Sequence, residues 1–236
     1  MADLAELAKQ KASFQAIDQQ INASTKIIGI GSGSTVVYAV QRLAERVKQE
    51  SLDIKACIPS SFQSQQLIVQ HGLPLATLNQ YPKIDVTFDG ADEVDDGLNA
   101  IKGGGACQLQ EKLLIANSAK WFIVADYRKD SSALGQQWKK GVPIEVVPSA
   151  YVAVMDRIKE LGGKPVLRMA TAKAGPVVTD NGMFVVDADF GEIKDPKSLD
   201  LKLQVIPGIV ETGLFCGLSD GVYFGMQDGT VKSRFK

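Results

Sequence analysis

Histidine is nearly missing from this chain: His71 is the only one among 236 residues. A Ser-His-Asp triad would have to use it, and a zinc site would need other ligands around it. It stands before Gly72 at an expected helix end, where an imidazole commonly meets the helix dipole, so both classes of site are disfavoured. Cysteine is scarce as well. Cys57, Cys107 and Cys216 are odd in number, far apart and without CxxC spacing, which argues against a disulfide framework or a structural zinc site and for a reducing compartment. No apolar run approaches the ~20 residues of a membrane helix. The start, Met1-Ala2-Asp3-Leu4-Ala5-Glu6-Leu7, has early acids and no long apolar core, unlike a signal peptide. The formal net charge of −1 lacks the basic excess of nucleic-acid and anionic-membrane binders. These absences predict a cytoplasmic protein with neither nucleic acid nor membrane as a partner.

What is present is a regular alternation of apolar runs and amphipathic stretches. Ala2 to about Ile21 reads as a helix, Lys26–Ile30 as a short buried strand, and Ser34 to Gln49 as a helix with Val36, Val37, Val40, Leu43 and Val47 near helical period. Ile54–Ile58, Ile84–Phe88 and Trp121–Ala125 continue as strands, with helices at Ser61–His71 and Ala106–Asn117 between them. Strands alternating with helices predict a Rossmann-like α/β domain built on a parallel sheet. The pattern then changes to β-α-β-β-α-β: strand Val142–Val147, helix Ser149–Leu161, strands Lys164–Met169 and Met183–Asp189, helix Pro196–Leu203, and Val205-Ile206 extended. That order is the split βαβ, ferredoxin-like arrangement, and predicts a smaller inserted α+β domain. The expected division is 1–135 with 211–236 for the main domain and 136–210 for the small one, with Leu214–Cys216 and Val222–Gly225 closing the main sheet.

Two motifs carry chemistry. Gly29-Ile30-Gly31-Ser32-Gly33-Ser34-Thr35 joins a strand to a helix, where backbone N–H groups, the helix dipole and hydroxyls suit a phosphate. A dinucleotide fingerprint fails, because Ser34 stands where its last glycine belongs, and a P-loop fails for want of a lysine before Ser34 or Thr35. The plainer alternative is a tight turn with Ser34 capping the helix. Pro59-Ser60-Ser61-Phe62 either lines the same crevice or caps the next helix.

The second motif is Asp89-Gly90-Ala91-Asp92-Glu93-Val94-Asp95, followed by Lys102-Gly103-Gly104-Gly105 and a helix that carries Glu111. Asp89 and Asp92 lie at or just beyond a strand end, where open α/β sheets hold ligands. Glu93, Asp95 and Asp96 read as solvated loop, and no EF-hand spacing is present. Three glycines in a row are costly to order and suit backbone held close to a ligand. Glu111 is either an exposed helix acid beside Lys112 or, in a closed pocket, a proton shuttle. Carboxylates, a lysine and a phosphate cradle, without histidine or a metal cluster, fit proton transfer on a sugar phosphate.

These motifs in this order resemble the A-type ribose-5-phosphate isomerases from end to end. Ala125-Asp126 with Lys129, and Ile206-Pro207-Gly208 through Glu211-Thr212-Gly213-Leu214-Phe215, add two more matches. The resemblance implies an aldose–ketose isomerase that interconverts ribose 5-phosphate and ribulose 5-phosphate through an enediolate, with no metal and no cofactor. It assigns Glu111 as the base, Asp89 with Asp92 to ring opening, and Lys102 to the enediolate oxygen. Ser32, Gly33, Ser34, Thr35, Gly103, Gly104 and Lys129 would bind substrate, and Lys11 lies upstream at a distance that fits a family lysine. It also implies a homo-oligomer, most often a dimer but with larger assemblies open. Gln110 stands where an arginine is frequent, and Tyr127-Arg128 interrupts the usual stretch before Lys129. A non-catalytic sugar-phosphate sensor would keep the cradle without needing Asp89, Lys102 and Glu111 together, and an acyl-CoA transferase would place its glutamate at another strand end.

Overall fold

The computed structural model describes residues 4–236; Met1, Ala2 and Asp3, within which the first helix is expected to begin, lie outside the described residues. In chain order the elements are α1 (Leu4–Gln20), β1 (Ile27–Ile30), α2 (Val36–Glu50), β2 (Ala56–Pro59), α3 (Phe62–Gln70), β3 (Val86–Asp89), β4 (Glu93–Val94), β5 (Ala100–Ile101), α4 (Gln108–Ala116) and β6 (Trp121–Asp126). They continue as β7 (Val142–Val146), α5 (Tyr151–Glu160), β8 (Lys164–Leu167), β9 (Phe184–Asp189), α6 (Pro196–Gln204), β10 (Ile209–Thr212), β11 (Leu214–Phe215), β12 (Gly221–Gly225) and β13 (Val231–Phe235). The chain divides into two compact units. One takes the chain up to Ala91, Gln110–Lys129 and Leu218–Lys236; the other takes Asp92–Leu109 and Asp130–Gly217. Among the described residues no helix is long and apolar enough to cross a membrane.

The first unit is built on a six-stranded sheet in the order β13-β12-β6-β3-β1-β2. From β12 to β2 every pairing is parallel, and only β13 runs antiparallel, at the edge. Parallel strands need cover on both faces, and β3 and β6 are accordingly buried at every position. Ile28, Ile30, Phe88, Phe122, Val124 and Tyr223 form one core with Val36, Val40 and Leu43 of α2 and Ala12, Ala16 and Ile17 of α1. Each fully buried aliphatic or aromatic side chain there contributes roughly 1.5–3 kcal/mol. The buried stripe of α1 is mostly alanine, so the helix can lie close to the sheet: the backbone of Ala8 fills the space a side chain at Gly225 would take. Gln20 Nε2 donates to the Tyr223 hydroxyl (2.7 Å) at the other end of the helix.

The second unit has a four-stranded antiparallel sheet in the order β10-β7-β9-β8. Read as the fourth, first, third and second strands of a β-α-β-β-α-β run, this is the ferredoxin-like split βαβ topology. Val154 and Ile158 of α5 and Leu203 of α6 bury against Val142, Ile144, Val146, Val186 and Ala188. The α/β fold class with a small ferredoxin-like part is therefore what the chain adopts.

Several sequence expectations need correction. Leu214–Phe215 does not close the main sheet; it pairs with β5, which pairs with β4, in a separate three-stranded sheet. Val205 ends α6 rather than running extended, and the strand follows at Ile209. β13 is an additional edge strand. Glu93 and Asp95 are not solvated. Asp95 accepts the Asn99 amide (2.8 Å), while Asp96 is exposed as expected. The Cys57 thiol is pushed up to about 12 by burial, and none of the three cysteines is in a disulfide.

Glu93 is fully buried and accepts the Ser131 hydroxyl (2.7 Å), the Gly135 N–H (2.6 Å) and the Gln137 N–H (2.5 Å). These bonds tie the segment after Asp130 to β4. Glu93→Ala strands three donors without an acceptor, so urea unfolding should show a loss of about 2–4 kcal/mol. A change below about 0.5 kcal/mol would mean that the carboxylate is dispensable.

Candidate active site

The parallel strands of the first unit end along one edge, and the glycine-serine turn sits there between β1 and α2. Its backbone is tied to the end of β3. Gly31 N–H donates to the Phe88 carbonyl (2.9 Å), and Ser32 N–H to Asp89 Oδ1 (3.0 Å), which also accepts the Gly90 N–H (2.7 Å). Asp89 is fully buried, and these backbone donors are what make a carboxylate tolerable there. The approach is so close that a side chain at Gly31 would overlap the Asp89 carboxyl.

The rest of the turn is held from its flanks. Ser32 Oγ is 2.8 Å from Ser60 Oγ, and Gly33 N–H donates to Gln63 Oε1 (2.8 Å). Ser60 thus faces the turn, while its neighbour Ser61 caps α3 through a capping box with Ser64; Pro59–Phe62 fulfils both readings at once. Ser34 does not cap α2. Thr35 is the N-cap residue, and its side chain makes no cap hydrogen bond, so the hydroxyl is not committed to the helix. Ser34 is exposed and Thr35 nearly buried.

Two α1 side chains escaped the sequence reading. Ser13 Oγ donates to the Thr35 carbonyl (3.0 Å), and Lys9, one turn earlier, is 8% exposed and pairs with Glu6 (2.5 Å). Glu6 also accepts the Tyr38 hydroxyl (2.8 Å), and the Lys9 bond, then the Tyr38 bond, hold its carboxyl below the usual range. Their i, i+4 spacing inside the alanine stripe was the available signal. Lys11 instead donates to the Gly229 carbonyl (2.6 Å). At the end of β6, burial pushes the Asp126 carboxyl up, but the Arg128 guanidinium (Nε to Oδ1, 2.6 Å) outweighs it and the net shift is down. This is the role of the unexpected Arg128; Lys129 follows it in the same 3-10 turn. Glu111 lies in the first turn of α4 and is 5% exposed, so it is not a solvated helix acid.

In the second unit, β5 leads into Lys102 and the triple glycine. Lys102 is 2% exposed, its N–H donates to the Gly213 carbonyl (2.9 Å), and its Nζ stands 5.5 Å from the centre of the Phe215 ring. Gly103 has φ +98, open to glycine and costly for other residues, and Ala106 N–H donates back to its carbonyl (2.9 Å). Gly104 N–H donates to Asp92 Oδ2 (2.7 Å). The structure thus brings Ser32 to Asp89 within one unit, and Asp92 to Gly104 beside Lys102 within the other.

The description "Ribose 5-phosphate isomerase A (phosphoriboisomerase A)" belongs to the family model that matches residues 56–229. A ribose-5-phosphate isomerase of Sus scrofa is 52% identical over 233 residues, covering 98% of this chain and 76% of the relative. One from Schizosaccharomyces pombe is 54% identical over 228 residues, covering 96% of this chain and 82% of the relative. A solved D-ribose-5-phosphate isomerase in complex with phospho-erythronic acid superposes with a TM-score of 0.93 at 39% identity, covering 98% of this chain and 99% of its own. With the cradle, the buried acids and the triple glycine in place, the chain belongs to the ribose 5-phosphate isomerase A family.

Proposed function

We propose that this chain interconverts D-ribose 5-phosphate and D-ribulose 5-phosphate in the non-oxidative pentose phosphate pathway, by metal-independent proton transfer through an enediolate. The observation that carries this reading is the buried Asp89 carboxylate fastened to the backbone of the Gly31–Thr35 turn, in a chain of this family. A phosphate in the turn would take its charge complement from the start of α2, from the Thr35 hydroxyl, and from Lys129 and Lys9. Ser32, Gly33 and Ser34 offer the remaining donors, and Gly103 and Gly104 backbone to the sugar.

The sugar must open before it can isomerise, and Asp89 with Asp92 has the acceptor oxygens to move hydroxyl protons. Glu111 then takes the proton from C2 of the open aldose and returns it to C1, while one hydroxyl proton passes from O2 to O1. No atom or electron is gained or lost. A carbon-bound proton beside a carbonyl leaves only if the developing oxyanion is stabilised, and Lys102, itself 2% exposed, supplies that charge. Low exposure of Glu111 keeps water from competing for its proton. The reading includes a homodimer in the cytoplasm. Val166 and Met169, exposed on and just past the edge strand β8, offer apolar surface for self-association.

Purified protein should interconvert the two pentose phosphates in a coupled assay with excess chelator; strict dependence on added metal would overturn the mechanism. Glu111→Gln removes the proton acceptor with little change of volume, so kcat should fall roughly 10²–10⁴-fold with KM little altered. Near-normal turnover would show that the base lies elsewhere. Thr35→Ala should raise KM while leaving the unfolding free energy within about 0.5 kcal/mol, because the hydroxyl does not cap α2. An effect confined to kcat would remove Thr35 from the phosphate site.

A further inference from the structure

We infer that Arg168 is a positioning residue for the reaction, setting the orientation of the triple-glycine loop that follows Lys102; this rests on the roles proposed for Lys102 and Asp92. Arg168 lies just past β8, and its own backbone is held on both sides, with N–H to the Val185 carbonyl (2.9 Å) and carbonyl to the Val177 N–H (2.8 Å). Its guanidinium is then fixed in plane by Asp187 of β9, with Nε to Oδ2 at 2.8 Å and Nη2 to Oδ1 at 2.5 Å. The two side chains are only 17% and 18% exposed, so solvent screens the pair weakly. What remains of the fork is Nη1. It donates to the Gly103 carbonyl (3.0 Å) and the Gly104 carbonyl (3.2 Å).

The consequence lies in the peptide between Gly103 and Gly104. In a trans peptide the carbonyl and the next N–H point in opposite directions. Arg168 holds the Gly103 carbonyl, and Asp92 Oδ2 takes the Gly104 N–H (2.7 Å), so this peptide plane is pinned from both sides. Without Arg168, glycine backbone is free to rotate the plane and carry the N–H away from Asp92. The loop also contains Ala106 at φ +60, a left-handed conformation that a non-glycine residue keeps only where its surroundings impose it. Ala106 N–H shares the Gly103 carbonyl with Arg168, so one carbonyl closes the turn and receives the guanidinium. Lysine cannot replace this arrangement: a single ammonium lacks the planar fork that meets a carboxylate on one side and two carbonyls on another.

The test is kinetic and spectroscopic on Arg168→Ala, Arg168→Lys and Asp187→Asn. In Arg168→Ala, kcat should fall about tenfold to a hundredfold with KM changed less than about threefold, and Arg168→Lys should fail to restore it. Amide exchange at Gly104 should accelerate by about tenfold or more, with the β7 and β9 amides unchanged, and added methylguanidinium should recover part of the lost kcat. A well-folded Arg168→Ala with kcat within about twofold of wild type and Gly104 exchange unchanged sinks the inference. If Arg168→Ala does not fold, Arg168→Lys and Asp187→Asn are judged by the same two readouts. Lys102→Ala separates the underlying reading: normal turnover there refutes the role of Lys102, whereas the exchange rate at Gly104 still decides whether Arg168 orients the loop.

Discussion

A carboxylate with no access to water is stable only if the fold surrounds it with donors, and Asp89 is the residue on which this constraint bears hardest. Its Oδ1 draws in the N–H of Ser32 and the N–H of Gly90, and with the Gly31 N–H on the Phe88 carbonyl it fixes the turn after β1 to the end of β3. The parallel register Ile30↔Phe88 brings the two strand ends level, and the missing side chain at Gly31 lets the carboxyl sit against the turn. The geometry of the cradle follows from that contact. Ser60, Gln63 and Ser13 then support a turn whose position is already set.

The acidic stretch from Asp89 to Asp95 extends the same principle. Asp92 takes the Gly104 N–H, Glu93 takes two backbone N–H groups and a hydroxyl, and Asp95 takes the Asn99 N–H. Each acid organises a different loop by accepting backbone donors that have no ladder partner. A run that looks like solvated charge is a series of local anchors. Two of them, at Asp89 and Asp92, sit beside residues assigned to chemistry, while Glu93 and Asp95 hold the scaffold.

The parallel sheet was legible because its strands are buried on both faces and leave continuous apolar runs, and α2 because its buried positions recur at helical period. The split βαβ order was equally readable from alternation and turn signals. The small sheet of β4, β5 and β11 was not, since two-residue strands carry no period. β13, Val231-Lys232-Ser233-Arg234-Phe235, is a polar edge strand with nothing to mark it. Burial of Glu93 depends on donors 38 to 44 residues away, which composition cannot reveal. Lys9 and Lys11 differ only in which face of α1 they occupy, and that face is set by contact with the sheet. Cradle, acids and glycines were visible as motifs; their supporting side chains were not.

The position of α1 has a consequence for synthesis of the chain. Its alanine stripe needs β12, where Gly225 receives the Ala8 backbone and Tyr223 meets Gln20, more than two hundred residues later. The strand that receives the Ala8 backbone is therefore added to a growing chain more than two hundred residues after the helix that packs on it. Until then α1 can pack on α2 through Ala12, Ala16 and Ile17, but the sheet lacks both β12 and the edge strand beyond it. Such long-range pairing slows folding and lengthens the interval in which nascent chains are vulnerable to association. A side chain introduced at Gly225 would therefore strike α1 as directly as β12.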